Sequence, residues 1–300
     1  MNVASISKTG GRHCNQDYVD YAVADDAVCV AVADGLGAYH GSEFAGEIAV
    51  KAALKCFRKA VRRDDEIFSG AFMNKLFKYA HIAIHKIKNE SPELRQGCTT
   101  LSVAIVRGDK LICAHAGDTR IYFFKSGKIE FFSKDHSLAR LAADRGEINY
   151  DDIRTHKDQN KLTRVLGSDY FVQPDFKICG GVSANDALLV CTDGFWEYVC
   201  ESDMEKAIAE GTDAGLILGE LEKVLISRVP ETNDNYTAAL VLFGGEDSFK
   251  TPVTDKNENA VSEEPQNDGT PSEAKSENNT ANEDETKNEN ETKNEDETNE

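Results

Sequence analysis

The chain is poor in basic residues, with 34 Lys and Arg against 53 Asp and Glu and a formal net charge of −19. A surface of that sign repels phosphate backbones, so nucleic acid is not expected as a partner. None of the eight cysteines forms a CxxC pair, which leaves no zinc ribbon or dithiol redox motif. Cys29, Cys113 and Cys191 lie inside apolar runs, where a free thiol behaves as a small hydrophobe, and a reducing, cytoplasmic compartment is the expectation. No run approaches the roughly 20 apolar residues of a membrane span. The opening MNVASISKTGG has neither a charged n-region nor an apolar h-region, so neither a membrane span nor a secretory leader is expected. Also lacking are the GxxxxGKS phosphate loop and the GxSxG nucleophile turn, which argues against P-loop ATP chemistry and serine hydrolysis.

The absences are not evenly spread. From Glu246 to Glu300 there is no Arg, no aromatic residue after Phe249, and five Lys face 18 acids, a net −13. Such a segment cannot bury enough apolar surface to offset the entropy of ordering. It is expected to be a disordered, acidic, low-complexity tail, with ETKNE repeated at Glu285 and Glu291. As a flexible coil it would span about 40 Å. Residues 1–245 carry the remaining −6 and a normal apolar fraction, sufficient for one domain with one large core.

Within that domain, apolar runs or alternation mark strands at Asn2 to Lys8, Asp17 to Ala24 and Ala27 to Ala33, with Asp25-Asp26 as a turn. Helical spacing follows a glycine-rich loop, from Ser42 as N-cap to Arg63, and again from about Glu66 to Lys88. Further strands are expected at Thr99 to Val106, Lys110 to Ala116, Arg120 to Phe124, Lys128 to Phe132, Phe176 to Gly180, Ala187 to Thr192 and Tyr236 to Phe243. Helices at about Ser202 to Glu210 and Ala214 to Ser227 precede the last of these, and residues 137–168 read as a helix plus a polar flap. Clustered strands without βαβ alternation give an α+β class: two packed antiparallel sheets, a β-sandwich, with helices on the outer faces.

The informative pattern is an apolar run that stops at an aspartate. AVCVAVADG ends at Asp34-Gly35, ALLVCTDG at Asp193-Gly194, and LICAHAGDTR puts Asp118 just past a strand, while Asp17 opens another strand and Asp234 immediately precedes the last. Singly, Asp-Gly is a turn former. A sandwich that collects strand ends at one rim would collect these carboxylates too, and several together require compensation by a divalent cation. Oxygen-only ligands suit Mg²⁺ or Mn²⁺ rather than zinc. Two ions can activate a water and clamp a phosphoryl group for in-line displacement without a protein nucleophile. Arg12, with a planar fork matched to phosphate oxygens, is the candidate anion ligand.

Taken in order, RHCNQD at Arg12, ADGLG at Ala33, GCTT at Gly97, GDTR at Gly117, DHSL at Asp135, LTRVLG at Leu162, CTDG at Cys191 and DNYT at Asp234 resemble the metal-dependent protein serine/threonine phosphatases of type 2C, especially their bacterial members, over about residues 1 to 243. The resemblance implies hydrolysis of phosphoserine and phosphothreonine monoesters by direct attack of a metal-bridging water or hydroxide. It implies that Asp34 bridges two Mn²⁺ or Mg²⁺ ions, that Gly35 binds one of the two through its carbonyl, and that Asp193 and Asp234 complete the first metal site. Asp17 would serve the second ion, Arg12 the phosphate, and Asp118, with Asp193, a third and weaker ion. Phosphoprotein substrates, an opposing serine/threonine kinase and a monomeric state are the partner expectations.

Two positions depart from the pattern. Leu36 stands where some members carry a His able to protonate the leaving alkoxide, leaving His40 as a nearby candidate acid, and Gln16 stands where some carry Glu. His81 and His85 share zinc-pair spacing, but Ile82 replaces a protease glutamate, so a helix face is the expectation there. The competing functions are a catalytically silent binding module on the same fold and a phosphohydrolase of small phosphoesters.

Overall fold

The computed structural model describes residues 1–24, 26–37, 41–62, 64–91, 94–244, 248–249 and 253–254. Its first three strands are β1 (Asn2–Lys8), β2 (Asp17–Ala24) and β3 (Ala27–Asp34), followed by helices α1 (Ser42–Ala60) and α2 (Gly70–Glu90). Next come β4 (Leu101–Arg107), β5 (Lys110–Ala116), β6 (Arg120–Lys125), β7 (Lys128–Phe132) and α3 (Leu138–Asp144). Then β8 (Asp175–Cys179), β9 (Ala187–Cys191), α4 (Asp193–Trp196), α5 (Glu201–Glu210), α6 (Ala214–Ile226) and β10 (Tyr236–Leu242) complete the main order.

One sheet runs β2-β3-β4-β5-β8 and is antiparallel throughout. The other has β1-β10-β9-β6-β7 as its antiparallel body. β3 explains why the layers stack. Val28, Val30 and Val32 point to the second sheet, where they meet Val190, Ala239 and Val241. Cys29, Ala31 and Ala33 point the other way, into α1 and α2, against Ala49, Ala53, Phe57 and Leu76. A strand buried on both faces must be apolar at every position, hence the unbroken run. The second sheet packs its outer face on Trp196, Met204, Leu218 and Leu221 from α4, α5 and α6. The expected β-sandwich flanked by helices is the observed fold.

Some boundaries differ. Gly41, not Ser42, is the N-cap of α1: it sits at φ 89 with no side-chain cap, and Ser42 begins the helix. The expected second helix is interrupted, because Asp64–Phe68 forms a 3-10 turn and Ser69 caps α2 by accepting from the Phe72 N–H at 3.1 Å. Tyr79 and Ile82 of α2 are exposed although both are apolar residues of the helix, as is Phe44 on α1. Asp25, of the proposed turn, and His40 lie outside the described residues.

Sheet pairing continues past Gly245. β11 (Ser248–Phe249) and β12 (Val253–Thr254) each pair parallel to β1, and the rest of the expected tail lies outside the described residues. These are two-residue ladders on a strand already secured along its length by β10. A chain ending at Gly245 is therefore expected to melt cooperatively, within about 5 °C of the full chain. A non-cooperative melt would show that sheet closure depends on the segments after Gly245.

Candidate metal centre

Antiparallel pairing brings the sequence-predicted carboxylates together. Asp17 opens β2 and lies directly opposite Asp34, the last residue of β3. Asp193 starts α4 two residues after β9, Asp234 stands two before β10, and β9 and β10 are neighbours. Asp118 occupies the short link between β5 and β6, which joins the two sheets. Arg12, Asp34, Leu36, Asp118, Asp193 and Asp234 line one cleft of about 430 Å³, together with Asn160 and Leu162 of the flap.

The backbone at this rim leaves no room for side chains. A Cβ on Gly35 would stand 2.4 Å from the Ser42 carbonyl oxygen, and one on Gly194 would stand 2.0 Å from that of Asn235. The Asp-Gly pairs are thus a packing requirement of the rim as well as turn chemistry. Asp34 is fixed by the GCTT segment: its N–H donates to Thr100 Oγ1 at 2.8 Å, and Thr99 Oγ1 donates to its carbonyl at 2.9 Å. Asn235 ties down the loop that carries Arg12. Its Nδ2 donates to the carbonyls of Thr9 and Cys14, and its Oδ1 accepts from the Gln16 N–H. Arg12 itself donates to Asp234 Oδ2 at 2.8 Å while its side chain stays 54% exposed, so it is oriented yet open to an incoming anion.

Electrostatically the cleft is strained in the direction a cation relieves. Burial pushes the Asp17 carboxyl up to about 8 against the pull of a hydrogen bond from Thr192, and nearby Asp193 and Asp234 add to the rise. Burial, then Asp193 and Asp17, raise Asp34 well above the usual range. Asp118 is raised similarly by burial and Asp193. Asp193 moves to about 6, burial and Asp234 outweighing a hydrogen bond from the Asp34 carboxyl.

Among the described residues, no three His, Cys, Asp or Glu side chains close into a metal-holding cage as they stand. What the fold delivers is a shared rim of mutually repelling carboxyls. The donors nevertheless fit a hard divalent cation. All are oxygens, they are buried, and Asp118 Oδ1 is a buried acceptor with no hydrogen-bond partner, a state that normally requires compensation.

Other contributors carry weaker sequence signals. Trp196 donates its indole N–H to the Asp118 carbonyl at 3.0 Å. It lies under the Arg120 guanidinium, 3.6 Å from the ring centroid, with Arg154 at 5.6 Å. Arg120 in turn grips Asp135 through two hydrogen bonds at 2.8 and 2.7 Å. This buried stack links Asp118 to the helical turn that begins at Asp193. Glu197, pushed up to about 8 by burial and by Asp193, joins the same acidic field and accepts from Gln159 of the flap at 2.6 Å. His81 and His85 form no metal pair. His81 Nδ1 accepts from the Gly167 N–H and His85 Nε2 bonds the Ser168 carbonyl, so the two rings pin the end of the flap to α2.

The sequence profile of the protein phosphatase 2C family matches residues 7–214. The serine/threonine phosphatase Stp of Listeria monocytogenes is 28% identical over 235 residues, covering 77% of this chain and 90% of the relative. The structure of the serine/threonine phosphatase Stp1 from Staphylococcus aureus superposes with a TM-score of 0.74 at 22% identity, over 82% of this chain and 96% of that one. The catalytic domain of the serine/threonine protein phosphatase PstP, solved in complex with 2 manganese ions, superposes at 0.64 and 23% identity, over 79% and 96%. At such identities the two structures speak for the fold, and the family match speaks for the chemistry: the chain belongs to the protein phosphatase 2C family and is a metal-dependent protein serine/threonine phosphatase.

Proposed function

We propose that the cleft hydrolyses phosphoserine and phosphothreonine in proteins with Asp34 shared by two Mn²⁺ or Mg²⁺ ions, Asp193 and Asp234 completing the first site, Asp17 beside the second, and the Gly35 carbonyl binding one of the two. Asp118, with Asp193, supplies the oxygens for a third. The observation that carries this is the convergence of five carboxyls from distant segments on one rim, with one Asp118 oxygen left unpartnered. Bound there, such ions would bring a water's pKa towards neutrality and neutralise charge on phosphoryl oxygens.

The protein groups do the rest. Asp34 is held by Thr99 and Thr100 at its backbone, so its carboxyl enters the cleft from a fixed strand end. Arg12 presents its free N–H groups to two phosphate oxygens and sets the phosphorus in line. Leu36 offers no proton at the cleft wall, so the first residue after the Asp-Gly pair takes no part in leaving-group protonation. The polar flap, which reaches the cleft through Asn160 and Leu162, gives that wall its shape for a protein substrate.

The remaining readings follow from simpler supports. Eight free cysteines agree with a reducing cytoplasm, and no described helix is long and apolar enough to cross a membrane. A net charge of −19 disfavours nucleic acid. A protein phosphatase requires a kinase that phosphorylates the same residues, and we place this chain, as a monomer, opposite a serine/threonine kinase. We take the composition break after Gly245 as the boundary between the catalytic unit and an acidic tail.

Hydrolysis of a phosphothreonine peptide is expected to stop in EDTA and to return with Mn²⁺. Arg12→Ala is expected to raise KM for that peptide about tenfold or more through loss of a charge-assisted contact of ~1.5 to 3 kcal/mol. Steady-state kinetics on both proteins check this, and an unchanged KM would remove Arg12 from the phosphate site.

A further inference from the structure

Both sheets end at the same side of the sandwich in strands with one free edge. Among the described residues β8 pairs only with β5, and β7 only with β6. Four of the five residues of β8 are exposed, including Phe176 at 50% and Ile178 at 51%. Lys177 turns to the other face and lies over the Phe131 ring of β7, 5.7 Å from its centroid. On either side of that lysine the seam opens into hollows of about 300 and 240 Å³.

The charge of this seam is opposite to that of the molecule. Lys125, Lys134 and Lys177 border it. Against these three stand two acids, Glu130 and Asp175, and Asp175 is already engaged by Arg164 at 2.6 Å and by His136 at 3.2 Å. The seam also leads to the chemistry. β8 lies antiparallel to β5, and its Asp175 end pairs with His115, close to where β5 runs into Asp118. His136 bonds Asp175 through one ring nitrogen and accepts from the Gly117 N–H through the other.

We propose that the free edge of β8 is a docking strip for an extended, acidic segment of the phosphoprotein substrate, flanking the phosphorylated residue. The proposal rests on the phosphatase reading and narrows its substrate class. An added strand would take up the open N–H and C=O groups of β8, cover Phe176 and Ile178 with one set of alternate side chains, and direct its acids to Lys134 and Lys177. A lysine on an exposed strand also discourages edge-to-edge association. That role alone requires neither the hollows beside Lys177 nor Lys125 at the end of β6 and Lys134 just after β7.

The test uses the full chain with Mn²⁺ and three substrates: p-nitrophenyl phosphate, a phosphothreonine peptide with neutral flanks, and the same peptide with a flank of alternating glutamate and valine as long as β8, placed on either side. An acidic flank on one side is expected to lower KM about tenfold at low salt, the scale of two or three exposed ion pairs with main-chain bonds. The double variant Lys134→Glu, Lys177→Glu is expected to lose that advantage. Equal KM values for acidic and neutral flanks, or an advantage that survives in the variant, would overturn the proposal. So would sedimentation showing that the seam joins two copies of this chain and that the variant separates them. p-Nitrophenyl phosphate has no flank to dock and reports on the cleft alone. If it and both peptides resist hydrolysis, the phosphatase reading fails first, an outcome distinct from failure of the strip.

Discussion

Asp34→Asn is expected to reduce turnover of a phosphothreonine peptide by at least about a thousandfold, ~4 kcal/mol of barrier, while raising the melting temperature of the protein in EDTA. The two effects share one cause. Asp34 sits opposite Asp17 across a strand pair, and burial, then the nearby Asp193, Asp17 and Asp118, hold its carboxyl well above the usual range. Without a cation the native state either protonates this group or bears its repulsion. An amide of the same shape removes that penalty and with it the charge that would hold the ions. Kinetics in Mn²⁺ and thermal melts in EDTA measure the two arms. Activity within tenfold of the parent would displace Asp34 from the centre of the mechanism, and a lowered melting temperature would show that its role is structural.

In chelator the protein is expected to lose stability between about pH 6.5 and 8, by roughly 10 °C in melting temperature, and Mn²⁺ is expected to abolish the loss. Asp17 and Glu197 are both raised to about 8 by burial, with neighbouring acids adding to the rise. A carboxyl whose native pKa is raised binds its proton more tightly when folded, so its contribution is full below the unfolded pKa near 3.9 and declines as pH climbs through the native one. Each such group changes stability by about 1.4 kcal/mol per pH unit, and a domain of this size shifts by about 2 to 4 °C per kcal/mol. His81 and His136, lowered to about 4 by burial, act in the opposite sense, but only between about pH 4 and 6.5, where the unfolded chain takes up protons that the native state refuses. Above that window the carboxyls are unopposed. Differential scanning fluorimetry across the range, with EDTA or Mn²⁺, decides it. A flat profile in EDTA would mean that these carboxyls are already ionised in the native protein.

The aspartates were legible because each follows or precedes an apolar run, and a run buried on both faces, such as β3, can end only where the sheet does. The convergence was legible only through the fold: nothing local to Asp34 and Asp234 places them in one cleft, and an antiparallel sandwich does. Helix starts were harder to read. Ser42 has the chemistry of a cap, but Gly41 with its positive φ occupies the position, since turn geometry there overrides side-chain preference. α4 is only four residues long and shows no periodicity. Trp196 and Arg120 belong to different motifs whose stacking depends on β6 lying next to β9, a relation no sequence window contains. The free edge of β8 was also hidden, because a strand's partners, unlike its existence, are not written in its own residues.

The indole stacked against the Arg120 guanidinium has a practical corollary. The chain has a single tryptophan, so all of its indole emission arises one hydrogen bond from Asp118. Whatever changes the electron density on that carbonyl changes the dipole felt by the excited ring. The wavelength of the emitted light therefore follows one location in the molecule instead of an average over it, and the native polypeptide carries its own optical gauge of the cleft with no dye attached.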